Sequence, residues 1–448
     1  MIFPETFEKN LSPPLGISII AACLRDAGYE VELWDQTVEH RKKINWGDYF
    51  LVGMNLLCAN FNNGVELAKR IREGNSNVFI MAGGPFSDTC AQEVLESGVF
   101  DAIVHGEGEY TFVRLAKAVK GKKAFHNIKG LSFYKQGKIK RTDDPPLIKD
   151  LDKLPFPAYD LLPVDKYPEA SVIASRGCPF SCIFCTRGPA ESKKRRCLSP
   201  ARAVEWIALL REKYHFKHIR MVDSTFTVDQ KWAEEICDLI IKNNLRVHWS
   251  CQTRIDCINT GLLEKMKKAG CNKIIFGIES GNDKILTLME KGFTKNNVRA
   301  FAKMFKAADA PSVTANFIIG HSWDTRETIR ETFDFAKELN NNFGFEYRLF
   351  LLVPFPGTEL WNNPEKYGIK IGTDWKHFCK TSFFGNPLGV EAVYSTNNLS
   401  SGELTEIYHQ LQNPVFSLMM KYGRPTLLAV YQIQRLLDRK LPKRKKRC

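Results

Sequence analysis

Residues 176–185 read R-G-C-P-F-S-C-I-F-C and place Cys178, Cys182 and Cys185 in a C-x3-C-x2-C spacing. The triplet follows a short apolar segment and precedes a helical pattern, so the three thiols share one loop after a strand. Thiolates at this spacing suit an iron–sulfur cluster, and no fourth Cys or His follows nearby to close a tetrahedral zinc site. Three unrelated core cysteines, or a zinc knuckle completed by Cys197, are the alternatives. We predict a cluster with one iron open to a further ligand.

The sequence around this loop alternates strands with helical patterns. Apolar strand segments occur at 171–175, 218–223, 247–252, 273–280, 313–320 and 346–353. Six strands with intervening helices predict a partial (β/α)6 barrel over residues 171–360, whose chemistry would lie at the C-terminal ends of its strands.

The N-terminal part shows the same rhythm with a shorter first element. We predict a doubly wound, flavodoxin-like sheet over residues 1–142, with its first strand short or missing and a hairpin at 130–141. The stretch 143–170 is rich in Pro and predicts a linker, because Pro lacks a backbone donor. Residues 361–448 are expected to form a mostly helical extension.

Composition narrows the class of protein. The 448 residues correspond to two or three domains, and 44% hydrophobic with 25% charged residues is typical of a globular protein. Thirteen cysteines are too few for a disulfide scaffold, so a reducing cytoplasm is expected. Much of the net charge of +14 lies in the tail 426–448, which is also amphipathic. This tail could contact an anionic membrane surface from the cytoplasmic side, and a surface helix with a disordered basic end explains it equally well.

The cysteine loop, with the aromatic Phe184 before its last cysteine, resembles the signature of the radical S-adenosylmethionine superfamily. The resemblance implies a [4Fe–4S] cluster on Cys178, Cys182 and Cys185, with a fourth iron that chelates the amino and carboxylate groups of S-adenosylmethionine. Reductive cleavage of that cofactor would yield a 5′-deoxyadenosyl radical, with electrons from a flavodoxin or ferredoxin.

Several strand ends match positions that bind S-adenosylmethionine in this family. The resemblance implies that the backbone at Phe184 contacts the adenine, Asp223 the methionine amino group and Glu279 the ribose hydroxyls. Gln252 and Arg254 end the third barrel strand, where the planar Arg fork could pair with the methionine carboxylate. Asp223 and Glu279 could instead cap the helices that follow them.

Three N-terminal loop motifs resemble a cobalamin-binding domain. They are P-P-L-G at 13–16, A-G-G-P at 82–85 and H-G-E-G-E at 105–109. The resemblance implies corrinoid contacts at Leu15, Gly16, Gly83, Gly84, Pro85, Gly106, Glu107 and Glu109. No D-x-H-x-x-G segment exists, so we expect no cobalt ligand from that motif, and His105 is expected to be a hydrogen-bonding residue.

These features predict a cobalamin-dependent radical enzyme that methylates an unactivated carbon of a small-molecule or lipid-like substrate. Ring formation and rearrangement remain open for this architecture. A tRNA methylthiotransferase would need a second cysteine trio, and Cys23, Cys58 and Cys90 are separated by the strand and helix rhythm. A non-catalytic corrinoid or iron–sulfur sensing protein is the third hypothesis. Nucleic-acid binding is not expected, because no aromatic residues interleave the basic tail.

Overall fold

A computed structural model describes residues 1–6, 11–186, 193–308, 310–372 and 390–412. The N-terminal elements are β1 Ile2–Phe3, α1 Leu15–Asp26, β2 Trp34–Asp35, β3 Leu51–Asn55, α2 Phe61–Gly74, β4 Phe79–Gly83, α3 Pro85–Thr89, α4 Ala91–Glu96, β5 Ala102–Val104, α5 Gly108–Lys120, β6 Leu131–Lys135 and β7 Lys138–Arg141.

These strands form one sheet in the order β2-β1-β3-β4-β5-β6-β7. The parallel part follows the 2-1-3-4-5 order of flavodoxin-like folds, in which ligands bind beyond the carboxyl ends of the strands. The first strand has two residues and pairs with both β2 and β3. The hairpin turns at Gln136 and Gly137, which both have positive φ. Helices α3 and α4 are separated at Cys90, whose backbone is not helical.

The second sheet forms the partial barrel. Its elements are β8 Ala170–Val172, β9 Ser175–Arg176, β10 Arg196–Cys197, α6 Pro200–Glu212, β11 His218–Met221, α7 Gln230–Lys242, β12 His248–Thr253, α8 Thr260–Lys268, β13 Cys271–Glu279, α9 Asp283–Leu288, α10 Lys295–Ala307, β14 Ser312–Ile319, α11 Arg326–Phe343 and β15 Glu346–Leu351. Six of its strands are parallel neighbours in the order β15-β14-β13-β12-β11-β8, and β9 pairs with β10 separately.

The spacing of apolar residues along the outer helices explains why these helices pack on the sheet. Helix α10 buries Val298, Phe301, Ala302 and Phe305, which recur at helical spacing on one face. Phe276 of β13 contacts the rings of Phe301 and Phe305, with centroids 4.8 and 5.6 Å away. Because one face of β13 faces helices, the alternate residues of the strand point to the opposite, inner face of the barrel.

The two sheets share a core with the Pro-rich segment between them. One cluster of buried side chains runs from Ile17 and Ala21 of α1 through Tyr159 and Tyr167 of the linker to the barrel strands. The Tyr167 hydroxyl donates to Asp35 at 2.9 Å, and the Glu169 amide donates to the Leu11 carbonyl at 3.2 Å. The beginning of α1 therefore lies beside β8, an edge strand of the barrel.

The C-terminal extension is only partly described. It contains α12 Glu359–Asn362, β16 Ile369–Ile371, β17 Tyr394–Thr396 and α13 Ser401–Gln412, with β16 and β17 antiparallel. The predicted amphipathic tail, 426–448, lies outside the described residues. Across the described ranges, no helix combines the length and apolar character that a membrane crossing requires.

Candidate functional site

The cysteine loop is held at its two ends by a short antiparallel pair. Arg176 of β9 lies opposite Arg196 of β10, so the loop between them leaves and returns at one point. Cys178 and Cys182 are half-buried and Cys185 is exposed. Across the described residues no three His, Cys, Asp or Glu side chains are placed to hold a metal ion, so the three thiols share the loop but are not assembled into a metal site in this structure.

Aromatic side chains dock this loop on the barrel. The ring of Phe180 lies 3.8 Å from the guanidinium of Arg254, and the ring of Phe184 lies 5.9 Å from the ammonium of Lys291. Both cations follow barrel strands, so cation–π contacts hold the loop over the carboxyl ends of β12 and β13. Neither Phe180 nor Lys291 was selected from sequence, because the pairing depends on the fold.

Arg254 is buried, and its planar fork is already engaged. Nε and Nη2 donate to the carboxylate of Asp256 at 2.9 and 2.7 Å, and Nη2 also donates to the Lys291 carbonyl. The remaining nitrogen, Nη1, is buried without a partner among the described residues. The fork therefore offers one buried donor to a ligand, and a bidentate carboxylate pair would require Asp256 to move.

Glu279 ends β13 in a backbone conformation that side-chain-bearing residues rarely adopt, with φ of 73°. Its carboxylate accepts from Lys291 Nζ at 3.2 Å, and both side chains are buried. A Cβ at Gly277 would lie 2.2 Å from Glu279 Oε1, so glycine provides the space for this ion pair. Such a strained, buried carboxylate at a strand end is typical of a binding site.

Unpartnered neutral polar groups lie on β14 and just after it. His321 is buried against the ring of Phe184, with centroids 5.7 Å apart, and neither of its ring nitrogens has a hydrogen-bond partner within the described ranges. The same is true of Asn316 Oδ1 and Ser322 Oγ. Burial and the nearby Lys291 ammonium lower the pKa of His321 to about 3, so its ring is neutral near pH 7. Unsatisfied buried groups in such numbers indicate a place that a polar ligand occupies.

Two other predicted contacts differ in exposure. Asp223 is fully buried, and its carboxylate accepts from Ser175 Oγ at 2.5 Å and from the Ala174 amide at 3.4 Å. Burial raises the pKa of Asp223 to about 6. Gln252 is exposed on β12, two residues before Arg254. Asp223 thus supports the stem of the cysteine loop, whereas Gln252 is accessible to a ligand.

The glycine motifs of the N-terminal sheet meet at its carboxyl edge. Gly84 has φ of 96°, and a Cβ there would approach the Leu56 carbonyl to 2.9 Å. A Cβ at Gly16 would lie 3.9 Å from Asn55, and one at Gly83 would meet nothing nearer than 3.6 Å. The surface at Gly16 and Gly83 is therefore open enough for a flat macrocycle to approach the backbone.

His105 is a buried hydrogen-bonding residue. Its Nε2 lies 2.8 Å from Ser132 Oγ, and its Nδ1 lies 3.3 Å from the carboxylate of Asp88, which also accepts from the Gly106 amide at 2.8 Å. The Nδ1 contact lacks hydrogen-bond geometry, but the ring is enclosed on both sides. These contacts support the interpretation that His105 does not ligate cobalt.

The acidic residues of the third motif contact the stem of the cysteine loop. Glu107 accepts from Arg176 and Arg196 at 2.8 and 2.9 Å, and Glu109 accepts from Arg176 at 2.5 Å. All four side chains are largely buried. These partners were not predicted. The other positions predicted to bind the corrinoid are exposed or half-buried, at strand ends or at the first residues of the helices α1 and α3: Leu15, Gly16, Gly83, Gly84, Pro85 and Gly106.

The three N-terminal cysteines, which a methylthiotransferase would need as a second trio, lie on separate elements. Cys23 is buried on α1, Cys58 follows β3 and Cys90 lies between α3 and α4. Burial raises the pKa values of Cys23 and Cys90 to about 12, so both thiols stay protonated.

Comparison with known proteins matches both regions. Residues 172–336 match the radical SAM superfamily and residues 9–116 match the B12 binding domain. An uncharacterized methyltransferase of Pyrococcus horikoshii, PH0819, is 32% identical over 378 residues, covering 82% of this chain and 81% of the relative. The hopanoid C-3 methylase of Methylococcus capsulatus is 26% identical, covering 79% of this chain and 69% of the relative.

A solved structure has the same fold. The radical S-adenosylmethionine methyltransferase TsrM from Kitasatospora setae, with cobalamin and a [4Fe–4S] cluster bound, aligns with a TM-score of 0.70 and 17% identity, covering 92% of this chain and 80% of that chain.

The donor groups fit the cofactors of this family. Three cysteine thiols share the loop, unpartnered polar atoms lie beside it, and open glycine surfaces lie at the neighbouring sheet edge. The cofactors are a [4Fe–4S] cluster, S-adenosylmethionine and cobalamin. The chain is an enzyme of the radical S-adenosylmethionine superfamily, and it belongs to the group with an N-terminal cobalamin-binding domain.

Proposed function

We propose that this enzyme methylates an unactivated carbon of a small-molecule or lipid-like substrate. The observation that carries the proposal is the direct contact between the two cofactor loops, through Glu107 and Arg176. Because this contact brings the corrinoid-binding edge to the stem of the cluster loop, both cofactors can act on one substrate. When bound, the cluster with S-adenosylmethionine supplies a hydrogen-abstracting radical and cobalamin supplies the methyl group.

The chain's own residues have separate tasks in this proposal. Cys178, Cys182 and Cys185 would hold three irons and leave one open. The free Nη1 of Arg254 would donate to the methionine carboxylate, since a charge-assisted hydrogen bond suits a buried donor. Glu279 would accept from ribose hydroxyls.

The remaining polar groups would orient the cofactor and exclude water. Gln252 and the Phe184 backbone would contact S-adenosylmethionine at the barrel mouth. Asp223, at the base of the loop, would bind the methionine amino group. The corrinoid would rest on Leu15, Gly16, Gly83, Gly84, Pro85 and Gly106.

The substrate class rests on the relatives. One similar protein is a hopanoid methylase and others are named as methyltransferases. Reducing equivalents would come from a flavodoxin or ferredoxin. The basic tail would bring the enzyme to the cytoplasmic face of a membrane, where a lipid-like substrate is available.

The test uses anaerobically reconstituted enzyme with dithionite as the reductant, cobalamin, and S-adenosylmethionine carrying a trideuterated methyl group. Lipid and polar extracts serve as separate substrate sources. We expect a trideuteromethyl product from one extract, together with S-adenosylhomocysteine and 5′-deoxyadenosine in equal amounts. The Cys182→Ala variant should give neither the product nor 5′-deoxyadenosine. A product with a new ring and no labelled methyl group would contradict methylation.

A further inference from the structure

The two acidic residues of the H-G-E-G-E motif contact the barrel domain. Glu107 Oε1 accepts from Arg176 Nη1 at 2.8 Å and from Arg196 Nη1 at 2.9 Å. Its Oε2 accepts from the Ile148 amide at 2.6 Å and from Arg196 Nη1 at 2.9 Å. Both carboxylate oxygens are therefore occupied, and only 2% of the side chain is exposed.

Glu109 completes a charge-balanced cluster. Its Oε1 accepts from Arg176 Nη2 at 2.5 Å, so Arg176 binds one carboxylate through each terminal nitrogen. Two guanidinium groups face two carboxylates in a region with little solvent. Removing one member leaves a buried charge uncompensated, which is costly, so the four side chains act as a unit.

The two arginines are the ends of the cluster loop. Arg176 lies two residues before Cys178, and Arg196 closes the loop on the opposite strand. The ladder between β9 and β10 contains only two residue pairs, Arg176 with Arg196 and Ser175 with Cys197. So short a ladder restrains a long loop weakly, and Glu107 adds a second connection across both strands.

The other end of the unit belongs to the corrinoid edge. Glu107 follows Gly106 directly, and the Gly106 amide is fixed by Asp88 at 2.8 Å. One carboxylate therefore links the loop after β5 to the strand that leads into the first cluster ligand.

We propose that Glu107 and Glu109 are positioning residues for the iron–sulfur loop. Through Arg176 and Arg196 they fix the two ends of that loop against the corrinoid-binding edge, and so set the placement of the S-adenosylmethionine site relative to cobalamin. The inference departs from the corrinoid contact that the motif suggests. It rests on the proposed function only in that both cofactors serve one reaction.

The test compares Glu107→Gln, Glu109→Gln and the double variant Glu107→Gln/Arg196→Gln with wild type, each reconstituted with cluster and cobalamin. Asp160→Asn is the matched control, because Asp160 forms another contact between the N-terminal domain and the linker, with Arg25 at 2.6 Å, but is 43% exposed. The measurements are cobalamin affinity, S-adenosylmethionine affinity, the EPR spectrum of the reduced cluster with and without S-adenosylmethionine, and amide exchange over residues 177–186.

We expect Glu107→Gln to lower S-adenosylmethionine affinity about tenfold, to alter the EPR change that this cofactor induces and to speed exchange in the loop, with cobalamin affinity unchanged. Glu109→Gln should have a smaller effect, since Arg176 keeps Glu107. Asp160→Asn should match wild type. The double variant should regain folding stability, because no guanidinium is left unpaired, without regaining the EPR response.

Two results would overturn the proposal. Weaker cobalamin binding by Glu107→Gln, with an unchanged EPR response, would assign the carboxylate to the corrinoid. Recovery of the EPR response in the double variant would reduce the network to a structural role. Neither measurement needs a methyl acceptor, so a failure to find a methylated product leaves this test independent.

Discussion

The two cofactor-binding edges of this enzyme differ in how their polar side chains are satisfied. At the edge of the N-terminal sheet, the carboxylates of Asp88, Glu107 and Glu109 and the Nε2 of His105 have hydrogen-bond partners, and only the Nδ1 of His105, 3.3 Å from Asp88, does not among the described residues there. At the mouth of the barrel, four residues keep buried polar atoms without partners in the described part of the chain: Arg254, Asn316, His321 and Ser322.

The difference indicates two ways of binding. The N-terminal edge, whose carboxylates are all satisfied, is shaped by the protein itself, and it presents backbone and glycine surfaces to a ligand that is recognised by fit. An unsatisfied edge carries a desolvation cost that only a hydrogen-bonding ligand removes. We therefore expect the N-terminal edge to be nearly unchanged by cobalamin, and the barrel mouth to be stabilised markedly by S-adenosylmethionine.

The largest expected effect concerns the cluster loop. Cys182→Ala should reduce iron from about four atoms per chain and abolish 5′-deoxyadenosine formation, because three thiolates are the minimum for a [4Fe–4S] cluster with one open iron. Cobalamin affinity should persist, since the corrinoid edge is in a separate sheet. Iron analysis measures the cluster content, and corrinoid absorbance measures cobalamin binding.

Cys257→Ala is the matched control for that substitution. Cys257 is buried three residues after Arg254, and burial raises its pKa to about 11, so it stays a thiol and is a poor ligand. It should keep full iron content. Loss of iron from Cys257→Ala, with retention in Cys182→Ala, would contradict the ligand assignment.

The next largest effect concerns the unpartnered polar groups at the mouth of the barrel. Arg254→Gln removes the free Nη1 donor and should weaken S-adenosylmethionine binding about 10- to 100-fold, the usual range for a lost charge-assisted hydrogen bond. Arg299→Gln is the comparison, because Arg299 also binds a carboxylate through its fork, that of Glu338 at 2.6 and 2.9 Å, and lies over an aromatic ring, but it has no buried unpartnered nitrogen among the residues that the structure describes. Equal losses in the two variants, measured by equilibrium dialysis, would count against a specific role for Arg254.

A third effect appears in the pH dependence of stability. The pKa of His321 is about 3 in the native protein and near 6.5 when unfolded, so the unfolded state binds a proton that the native state refuses between these values. His321 therefore has no effect on the pH dependence of stability above pH 6.5. Below pH 6.5 it lowers the free energy of unfolding progressively as pH falls. Between pH 7.5 and pH 5, the free energy of unfolding of His321→Asn should therefore rise by about 2 kcal/mol relative to that of wild type.

Urea unfolding of both proteins at the two pH values measures this gain. Burial raises the pKa values of Asp223 and Asp324 to about 6, so these residues raise the free energy of unfolding as pH falls. Their contributions cancel in the comparison because both proteins contain them. A difference that does not change with pH would mean that the His321 ring is protonated or hydrated in the native state.

The sequence predicted the order of strands and loops better than the partners of individual side chains. Strand periodicity and loop glycines are local signals, and the sheet topology brought the predicted motifs to two neighbouring edges. The partners of Glu107 lie 69 and 89 residues away, so no local pattern could identify them. Asp256, which occupies the fork of Arg254, is only two residues distant, but its approach depends on the turn after β12.

The smallest effect belongs to the edge of the N-terminal sheet. Asp88→Asn keeps the size of the side chain but weakens the acceptor of the Gly106 amide, and should cost about 1 kcal/mol of unfolding free energy. If the protein alone shapes this edge, the cost is the same with and without cobalamin. Ser132→Ala, which removes the other contact of His105, should give a similar, cobalamin-independent loss. If Asp88→Asn leaves stability intact and instead weakens cobalamin binding, the carboxylate meets the corrinoid, and the contrast between the two edges does not hold.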